Sequence, residues 1–185
     1  MILLNPMTIL KETDIKPGDT VIDYGSGSGH WSIFAGKLVG AEGKVFAIKN
    51  NIEILKMLVK VADISNVHNI EIEEIDFEKE KSKIFEPADM VLVLNILYSI
   101  KNRDFFINNV AEFVKPTGEL LFVDWDPERK EFGPRTGKRI SKEEIIKKFQ
   151  KIGFVLNREI EAGWNHYGLI FKHKPKKEDA NVGKK

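Results

Sequence analysis

A loop of alternating glycines near the amino terminus constrains the fold of this 185-residue chain more than any other sequence feature. The apolar run 20–24 is followed by Gly25, Gly27 and Gly29, and a helical pattern begins near His30. Glycine adopts positive φ and lets a ligand lie against the backbone, while the amides of a helix start point into the same space. The pattern predicts a small ligand at the carboxyl end of this strand.

Short β-branched runs alternate with amphipathic segments from Thr20 to Phe149, which is typical of βα units around a parallel sheet. The predicted strands are 20–24, 44–48, 70–75, 88–94 and 119–125, and the predicted helices are 30–39, 52–61 and 101–114. Pro116 and Gly118 predict a helix stop and a turn before the fifth strand.

The carboxyl-terminal third predicts a helix and an antiparallel hairpin. Ser141 and Glu144 form a capping box, which opens a helix that ends at Gly153. Two β-rich runs follow at 154–160 and 167–172, so the sheet is expected to close with a hairpin.

The remaining segments predict loops and ends. Residues 126–139 hold two prolines, two glycines and five basic residues without periodicity, as in long surface loops that cover a site. We expect one domain over 1–173, whose residues 1–15 carry a short helix at 8–14 that serves as a lid or packs across the sheet edge. The tail 174–185 has nothing to bury, and we expect it to be disordered.

The sequence does not match three other motifs that are rich in glycine or contain serine. A dinucleotide fingerprint requires a third glycine at position 30, which is His30. The lysine-serine or lysine-threonine ending of a phosphate loop is missing, and the serines do not occupy the centre of a nucleophile elbow.

The composition excludes several further kinds of functional site and binding partner. The absence of cysteine excludes disulfides and thiolate sites, and the four histidines lack metal spacing, so we expect no metal and a cytoplasmic location. Basic and acidic residues number 29 and 28, so no overall field attracts nucleic acid. The apolar runs are shorter than the roughly 20 residues of a membrane helix, and we expect no membrane association.

The glycine loop and the segments after it resemble class I S-adenosylmethionine (SAM)-dependent methyltransferases. The run 21–29 is similar to the first motif of that superfamily, 45–48 to its second strand and 75–77 to its acidic turn. The runs 92–95 and 114–124 are similar to its fourth-strand motif and its fifth strand, and 162–171 resembles its closing hairpin.

This resemblance implies a Rossmann-like three-layer α/β sandwich, whose mostly parallel sheet has seven strands in the order 3-2-1-4-5-7-6 with strand 7 antiparallel. It implies SAM as the cofactor and S-adenosylhomocysteine (SAH) as the product. The residues that it places at the cofactor are Asp23, Gly25, Ser26, Gly27, Gly29, Lys49, Asn50, Asp76, Phe77 and Asn95.

Lys49 departs from the family pattern, because strand 2 usually ends there in an acidic residue that accepts hydrogen bonds from both ribose hydroxyls. Lysine cannot accept, and its charge repels a sulfonium cation. Three interpretations stay open. In the first, Lys49 extends its stem over the edge and leaves the ribose to Asn50 or to backbone groups. In the second it marks weakened or abandoned SAM binding, and in the third it recognises a phosphate-bearing nucleotide.

Other polar residues are candidates for catalysis and substrate binding. Asn95 and Tyr98 break the apolar pattern after strand 4 and are the catalytic candidates, since switch-point geometry directs them at the reacting centre. Trp125, Arg135 and His166 are candidates for the substrate. Each candidate also has an ordinary explanation without a substrate. Trp125 can belong to a capped turn, Arg135 to a solvated loop, and His166 can be a structural residue.

Asp23 and Asp76 also have an ordinary alternative, since each aspartate can serve solely as the cap of a turn or loop.

The sequence predicts a methyltransferase for a small-molecule acceptor, because the chain has few insertions with which to hold a macromolecule. The alternatives are a non-catalytic binding module with weakened SAM affinity and a protein or RNA methyltransferase. Neither the acceptor nor the oligomeric state follows from the sequence.

Overall fold

A mostly parallel seven-stranded sheet organises the computed structural model, which describes residues 4–25, 27–83, 86–129 and 132–175. The strand order is β3-β2-β1-β4-β5-β7-β6. The strands are β1 (Thr20–Tyr24), β2 (Lys44–Lys49), β3 (Ile70–Glu74), β4 (Ala88–Leu94), β5 (Val114–Trp125), β6 (Phe154–Ile160) and β7 (His166–His173). Only β7 runs antiparallel to its neighbours β5 and β6. The predicted order and the antiparallel seventh strand are therefore confirmed.

Within the described ranges, five α-helices cover the two faces of the sheet. They are α1 (Pro6–Lys11), α2 (His30–Val39), α3 (Ile52–Ile64), α4 (Arg103–Glu112) and α5 (Lys142–Lys151). On one face α4 and α5 contribute to an apolar cluster that contains Phe106 and Phe149. On the other face α1 and α2 pack with Ile9 and Trp31, and α3 adds Leu55. Sequence and structure agree on three layers.

Short polar side chains fix where the helices begin. The side chains of Asn51 and Asn102 accept hydrogen bonds from the third residue of α3 and of α4, each at 3.2 Å. Ser141 accepts from the amide of Glu144 at 3.3 Å, which is the predicted cap of α5. Local sequence therefore sets the ends of the elements, and burial sets which face they present.

Several element boundaries differ from the sequence expectation: α3 ends at residue 64 and not 61, and α4 covers 103–112 and not 101–114. Two further differences have an identifiable cause. Asn5 caps α1 by accepting from Thr8, and Pro6 occupies its first turn, so the helix covers Pro6–Lys11 and not 8–14. Its Ile9 and Leu10 are buried in the core. The assignment of residues 1–15 as a lid stays a prediction.

The second difference lies at the start of β5. The predicted turn at 115–118 belongs to β5, where the register with β4 shifts between the pairs Ala88↔Val114 and Met90↔Glu119. A Cβ at Gly118 would lie 2.8 Å from the carbonyl oxygen of Ala88, so the bulge depends on glycine. Proline is also tolerated at such bulges, which explains how the strand accommodates Pro116.

No helix in the described ranges is long and apolar enough to cross a membrane. Residues 176–185, most of the predicted tail, lie outside the described residues, and so does Ser26 of the glycine loop.

Close packing of α2 on the adjoining loop gives a stability prediction. Glycine to alanine inside a helix normally stabilises, but a Cβ at Gly36 would lie 2.6 Å from Cγ1 of Val67 and 2.9 Å from Oδ1 of Asn69. We expect Gly36→Ala to lower the free energy of unfolding by about 1–3 kcal/mol in a urea titration. The control is Gly137→Ala, because a Cβ there meets nothing within 4 Å. Equal effects of the two substitutions would contradict this packing argument.

Candidate functional site

The candidate site lies at the carboxyl edge of the sheet between β1 and β4. These strands are neighbours, but the chain proceeds from β1 outward to β2 and β3 and returns to β4 on the other side. In open α/β sheets such a switch of direction leaves a crevice, and ligands bind there. The predicted glycine loop and Asn95 follow β1 and β4 directly, so the fold brings them to the same edge.

The glycine loop adopts backbone conformations that favour glycine at all three of its alternating positions. The φ angles of Gly25, Gly27 and Gly29 are 85°, 54° and 88°. A Cβ at Gly25 would lie 2.9 Å from Ile96, and one at Gly29 would lie 2.6 Å from Leu58. A Cβ at Gly27 would meet no atom within 4 Å. The loop is thus packed at both ends and open at its centre, where a ligand can approach the main chain.

The start of α2 adds hydrogen-bond donors to this loop. Gly29 is the N-cap of α2 and offers no side chain to accept from the first amides of the helix. Such amides, with the positive end of the helix dipole, favour polar or anionic ligand groups. Nearby, Oγ of Ser28 and Nδ1 of His30 are hydrogen-bonded at 2.6 Å.

Asp23 supplies a buried carboxyl group beneath the loop. Its side chain is fully buried, and its Oδ2 accepts a hydrogen bond from the Ser32 hydroxyl at 2.6 Å. Its Oδ1 is also buried and has no hydrogen-bond partner among the described residues. Burial raises the pKa of Asp23 to about 7, although the Ser32 bond and the charge of Lys49 oppose part of that rise. A buried hydrogen-bond acceptor without a donor destabilises the folded chain, so this oxygen is a candidate acceptor for a donor group of a ligand.

Lys49 reaches the same loop from the end of β2. Its ammonium donates to the carbonyl oxygen of Gly27 at 2.7 Å, and the side chain is half-buried. Burial lowers the pKa of Lys49, while the negative charge of Asp23 acts in the opposite direction. Lys49 thus contacts the glycine loop through its ammonium, and its role at a ribose stays a prediction.

The other predicted cofactor residues lie at the ends of β2 and β3. Asn50 and Asp76 line a surface depression of about 420 Å³. Asp76 accepts from the amide of Glu78 at 3.0 Å and pairs with Lys79 at 2.8 Å; the Lys79 hydrogen bond is the main cause of its lowered pKa. Phe77 lies below this surface. The structure thus brings Asn50 and Asp76 together, and the turn-forming role of Asp76 is present whether or not it also binds a ligand.

Phe77 is part of the core and not of the surface. Its side chain is buried and packs edge-on against Phe106, with ring centroids 5.5 Å apart, while Tyr24 lies 6.2 Å away. This aromatic group supports the floor under the ends of β1 and β3. A direct contact between Phe77 and a ligand stays a prediction.

Asn95 ends β4 in a left-handed conformation, with φ of 50°. Asparagine tolerates this region better than most residues, and such strain is common at functional sites. The amide oxygen of Asn95 is buried and, among the described residues, has no hydrogen-bond partner. Tyr98 follows in a 3-10 turn at Leu97–Ser99 and is half-buried. Both catalytic candidates therefore lie at the switch-point edge.

Asp124 holds that turn in place. It is 1% exposed, and its carboxylate accepts from the amides of Leu97 at 3.2 Å and of Trp125 at 2.7 Å. Burial raises the pKa of Asp124 to about 6. Asp124 therefore caps the turn that carries Tyr98.

Two of the substrate candidates are in contact. The rings of Trp125 and His166 lie 4.1 Å apart, next to each other on the paired strands β5 and β7. Both ring nitrogens of His166 are buried and lack partners within the described ranges. Burial lowers the pKa of His166 to about 4, so the ring is neutral at pH 7. Arg135, the third candidate, is exposed and precedes a 3-10 turn at Thr136–Lys138.

Arg139 is a structural residue that sequence reasoning did not distinguish from its basic neighbours. It is 8% exposed, and its guanidinium donates to the backbone carbonyls of Pro134 at 2.9 Å, Asp126 at 2.8 Å, Arg129 and Phe132. It also lies 5.5 Å from the ring of Trp125. The loop that follows β5 is thus organised around a buried cation, and only its position at the loop's end could have suggested this.

Within the described ranges no group of three histidine or acidic residues is arranged to hold a metal ion. The site consists instead of main-chain amides, one buried carboxyl group, one ammonium and an unpartnered amide oxygen.

Comparisons with known proteins agree with this geometry. A solved SAM-dependent methyltransferase from Aquifex aeolicus superposes with a TM-score of 0.80 at 26% identity, covering 91% of this chain and 89% of that one. Ribosomal RNA large subunit methyltransferase E of Acinetobacter baumannii is 61% identical over 33 residues, or 18% of this chain and 15% of that protein. A probable cobalt-precorrin-6B C(15)-methyltransferase of Sulfolobus acidocaldarius is 30% identical over 76 residues, covering 41% of this chain and 40% of that protein.

The two curated relatives are matched over less than half of their length. A family model described as a methyltransferase domain matches residues 15–176, which is most of the chain. The match includes the glycine loop, the buried Asp23 beneath it and the closing hairpin. This chain therefore belongs to the methyltransferase domain family.

Proposed function

We propose that this chain is a SAM-dependent methyltransferase that acts on a small-molecule acceptor. The observation that carries the proposal is the buried, unpartnered Oδ1 of Asp23 beneath a glycine loop that is open at Gly27. The family match and the Aquifex aeolicus structure support the reaction class and the cofactor.

The residues present fit such a cofactor. The loop accepts a ligand against the main chain at Gly27, and the carboxyl group of Asp23 offers a countercharge to an amino-acid ammonium. An ammonium group, that of Lys49, already binds the carbonyl of Gly27. Asn50 and Asp76 border a polar depression at the ends of β2 and β3 that suits a nucleoside.

When bound, SAM supplies a methyl group that its sulfonium centre activates for displacement. The chain's own residues then have to orient an acceptor and exclude water, so no dedicated base is required in principle. The amide oxygen of Asn95 can accept a hydrogen bond from the hydroxyl or amine of an acceptor. Asp124 fixes the turn that carries Tyr98, and neutral His166 with Trp125 forms an uncharged wall.

The arrangement of cations favours a small acceptor over RNA. Of the five basic residues in the loop 126–139, Arg139 is directed inward, and Lys130 lies outside the described residues. Arg129, Arg135 and Lys138 remain on the surface, and Arg129 is 4.0 Å from the carboxylate of Asp126. RNA binding depends on neutralising several phosphates, so this surface gives it little support. The named substrate class of the Acinetobacter relative is the argument for RNA, and it makes RNA the second candidate.

The function is tested by binding and by product analysis. We expect SAH to bind with a micromolar dissociation constant in calorimetry and to raise the melting temperature. With isotopically labelled SAM, label should enter small amines, phenols or thiols and not bulk RNA.

Changing Arg129 and Lys138 together to alanine should leave small-molecule transfer unchanged. Transfer to RNA that this double variant loses would favour the second candidate. A wild-type chain that binds no SAH would contradict both and favour a non-catalytic module.

The raised pKa of Asp23 predicts a cost in stability that grows with pH. Its folded pKa, about 7, exceeds its ordinary value of 3.8, so the folded chain loses stability as pH rises through 7. We expect Asp23→Asn to melt several degrees above the wild type at pH 8, and this gap to close as pH falls towards 4. The same variant should bind SAH at least about tenfold more weakly.

Asp89→Asn is the matched control with the opposite sign. The pKa of Asp89 is lowered even though burial acts against this, because Lys115 and the amide of Thr20 both donate to its carboxylate. Its replacement should therefore destabilise the chain at pH 8. If Asp23→Asn also lowers the melting temperature at pH 8, the carboxyl group of Asp23 is not a cost to folding.

Asn95 can be tested without confusing catalysis with folding. Glycine adopts a φ of 50° freely, so Asn95→Gly should keep or slightly raise the melting temperature. We expect turnover to fall about 10- to 100-fold, because the acceptor loses a buried hydrogen-bond partner. Asn66→Gly, at a φ of 53° far along the chain after α3, should keep full turnover. Unchanged turnover in Asn95→Gly would remove Asn95 from the reacting centre.

A further inference from the structure

Lys49 occupies a position that needs explanation beyond its place at the end of β2. The nearest acidic residue in the sheet register is Glu74, directly opposite on β3. Glu74 instead accepts from the amide of Ile52 at 2.8 Å, and Lys49 forms no ion pair with any carboxylate in the described ranges. Its ammonium binds the Gly27 carbonyl at 2.7 Å.

Asp23 lies under the same loop and interacts with this ammonium through its charge, without an ion pair. The carboxyl group of Asp23 is buried, and its Oδ1 has no donor in the described part of the chain. Among the described residues, Lys49 is the positive group whose charge acts on this carboxyl, and its ammonium is held at the loop by Gly27.

An ammonium group at Gly27 has a direct counterpart in the proposed cofactor, whose amino-acid tail ends in an ammonium. Both groups require a carbonyl acceptor and a nearby negative charge. The described loop offers one carbonyl in contact with Lys49 and one buried carboxyl group. Two cations cannot share them without repulsion, because the charges lie in a partly buried, weakly screened place.

We propose that the ammonium of Lys49 is an internal competitor for the ammonium of the donor's amino-acid tail. This inference rests on the proposed function. In the ligand-free chain Lys49 satisfies the Gly27 carbonyl and offsets the charge of Asp23, and the donor binds only after Lys49 withdraws. Lys49 thus lowers the affinity for ligands that carry an amino-acid tail, and its effect is not limited to the ribose.

The proposal separates two kinds of ligand. SAH carries the nucleoside and the amino-acid tail, whereas 5′-methylthioadenosine carries the nucleoside and thioether without the tail. Removal of the Lys49 ammonium should help only the ligand whose own ammonium competes with it. If Lys49 simply obstructed the ribose, both ligands would gain.

The test is calorimetric titration of both ligands into the full chain with Lys49→Met, which keeps an unbranched side chain of similar length without charge. We expect the dissociation constant for SAH to fall about tenfold, because a charge-assisted hydrogen bond no longer has to be displaced. The constant for 5′-methylthioadenosine should stay within about twofold.

Lys44→Met is the matched control on the same strand. Lys44 lies at the opposite end of β2, about 16 Å away at roughly 3.3 Å per residue, and it pairs with Glu71 and Glu86. Its replacement should change neither constant. If Lys49→Met does not fold, as shown by its thermal unfolding, Lys49→Gln provides the neutral side chain instead.

Equal gains for the two ligands, or no gain for either, would overturn the competition and leave the proposed function standing. A gain for 5′-methylthioadenosine alone would also overturn it. Absence of SAH binding to the wild type and to every variant would overturn the proposed function itself, so the two failures are distinguishable.

Discussion

The burial of one carboxyl group at the end of β1 governs the rest of the site. Asp23 is surrounded by a parallel sheet on both sides and by α2 above it, and among the residues that the structure describes only the Ser32 hydroxyl donates to it. A carboxylate in such a place is stable only if donors or positive charge compensate for the lost water. The loop that follows must therefore present polar main-chain groups close to it, which bulky side chains would prevent.

That requirement explains the alternating glycines better than flexibility does. Gly25 and Gly29 are fixed by contacts with Ile96 and Leu58 that leave no room for a Cβ. The loop is thus held against β4 at one end and against α3 at the other. Gly27, between them, faces open space, so the same loop is both anchored and accessible. The buried carboxyl group of Asp23 and the accessible main chain at Gly27 therefore belong to the same ligand site.

Much of this could be predicted from the sequence because it depends on local patterns. Strands β1 and β4 are runs of mostly apolar residues, and the cap at Ser141 acts within four residues, so their boundaries follow from spacing. The cap of α4 at Asn102 was not predicted, since the expected helix began at residue 101. The start of β5 could not be predicted, because Pro116 and Gly118 have the composition of a turn and only pairing with β4 makes them a bulge. The site shows the same division. The loop and Asn95 were identifiable, whereas the inward direction of Lys49 and Arg139 depends on carbonyls contributed by distant residues.

Those two cations show what a charge count along a sequence omits. Both Lys49 and Arg139 bind backbone carbonyls and not carboxylates, so each stabilises a loop conformation by using a charge that composition alone would assign to the solvent. For Arg139 the result is a set of hydrogen bonds that joins described parts of this loop beside Trp125. For Lys49 the result is a coupling with Asp23, since each group changes the cost of ionising the other. An acidic residue at position 49 would serve a ribose but would add a second negative charge beside a buried carboxyl group. The lysine therefore lowers the cost of the ligand-free fold at the expense of donor affinity, and stability and binding are set against each other by one side chain.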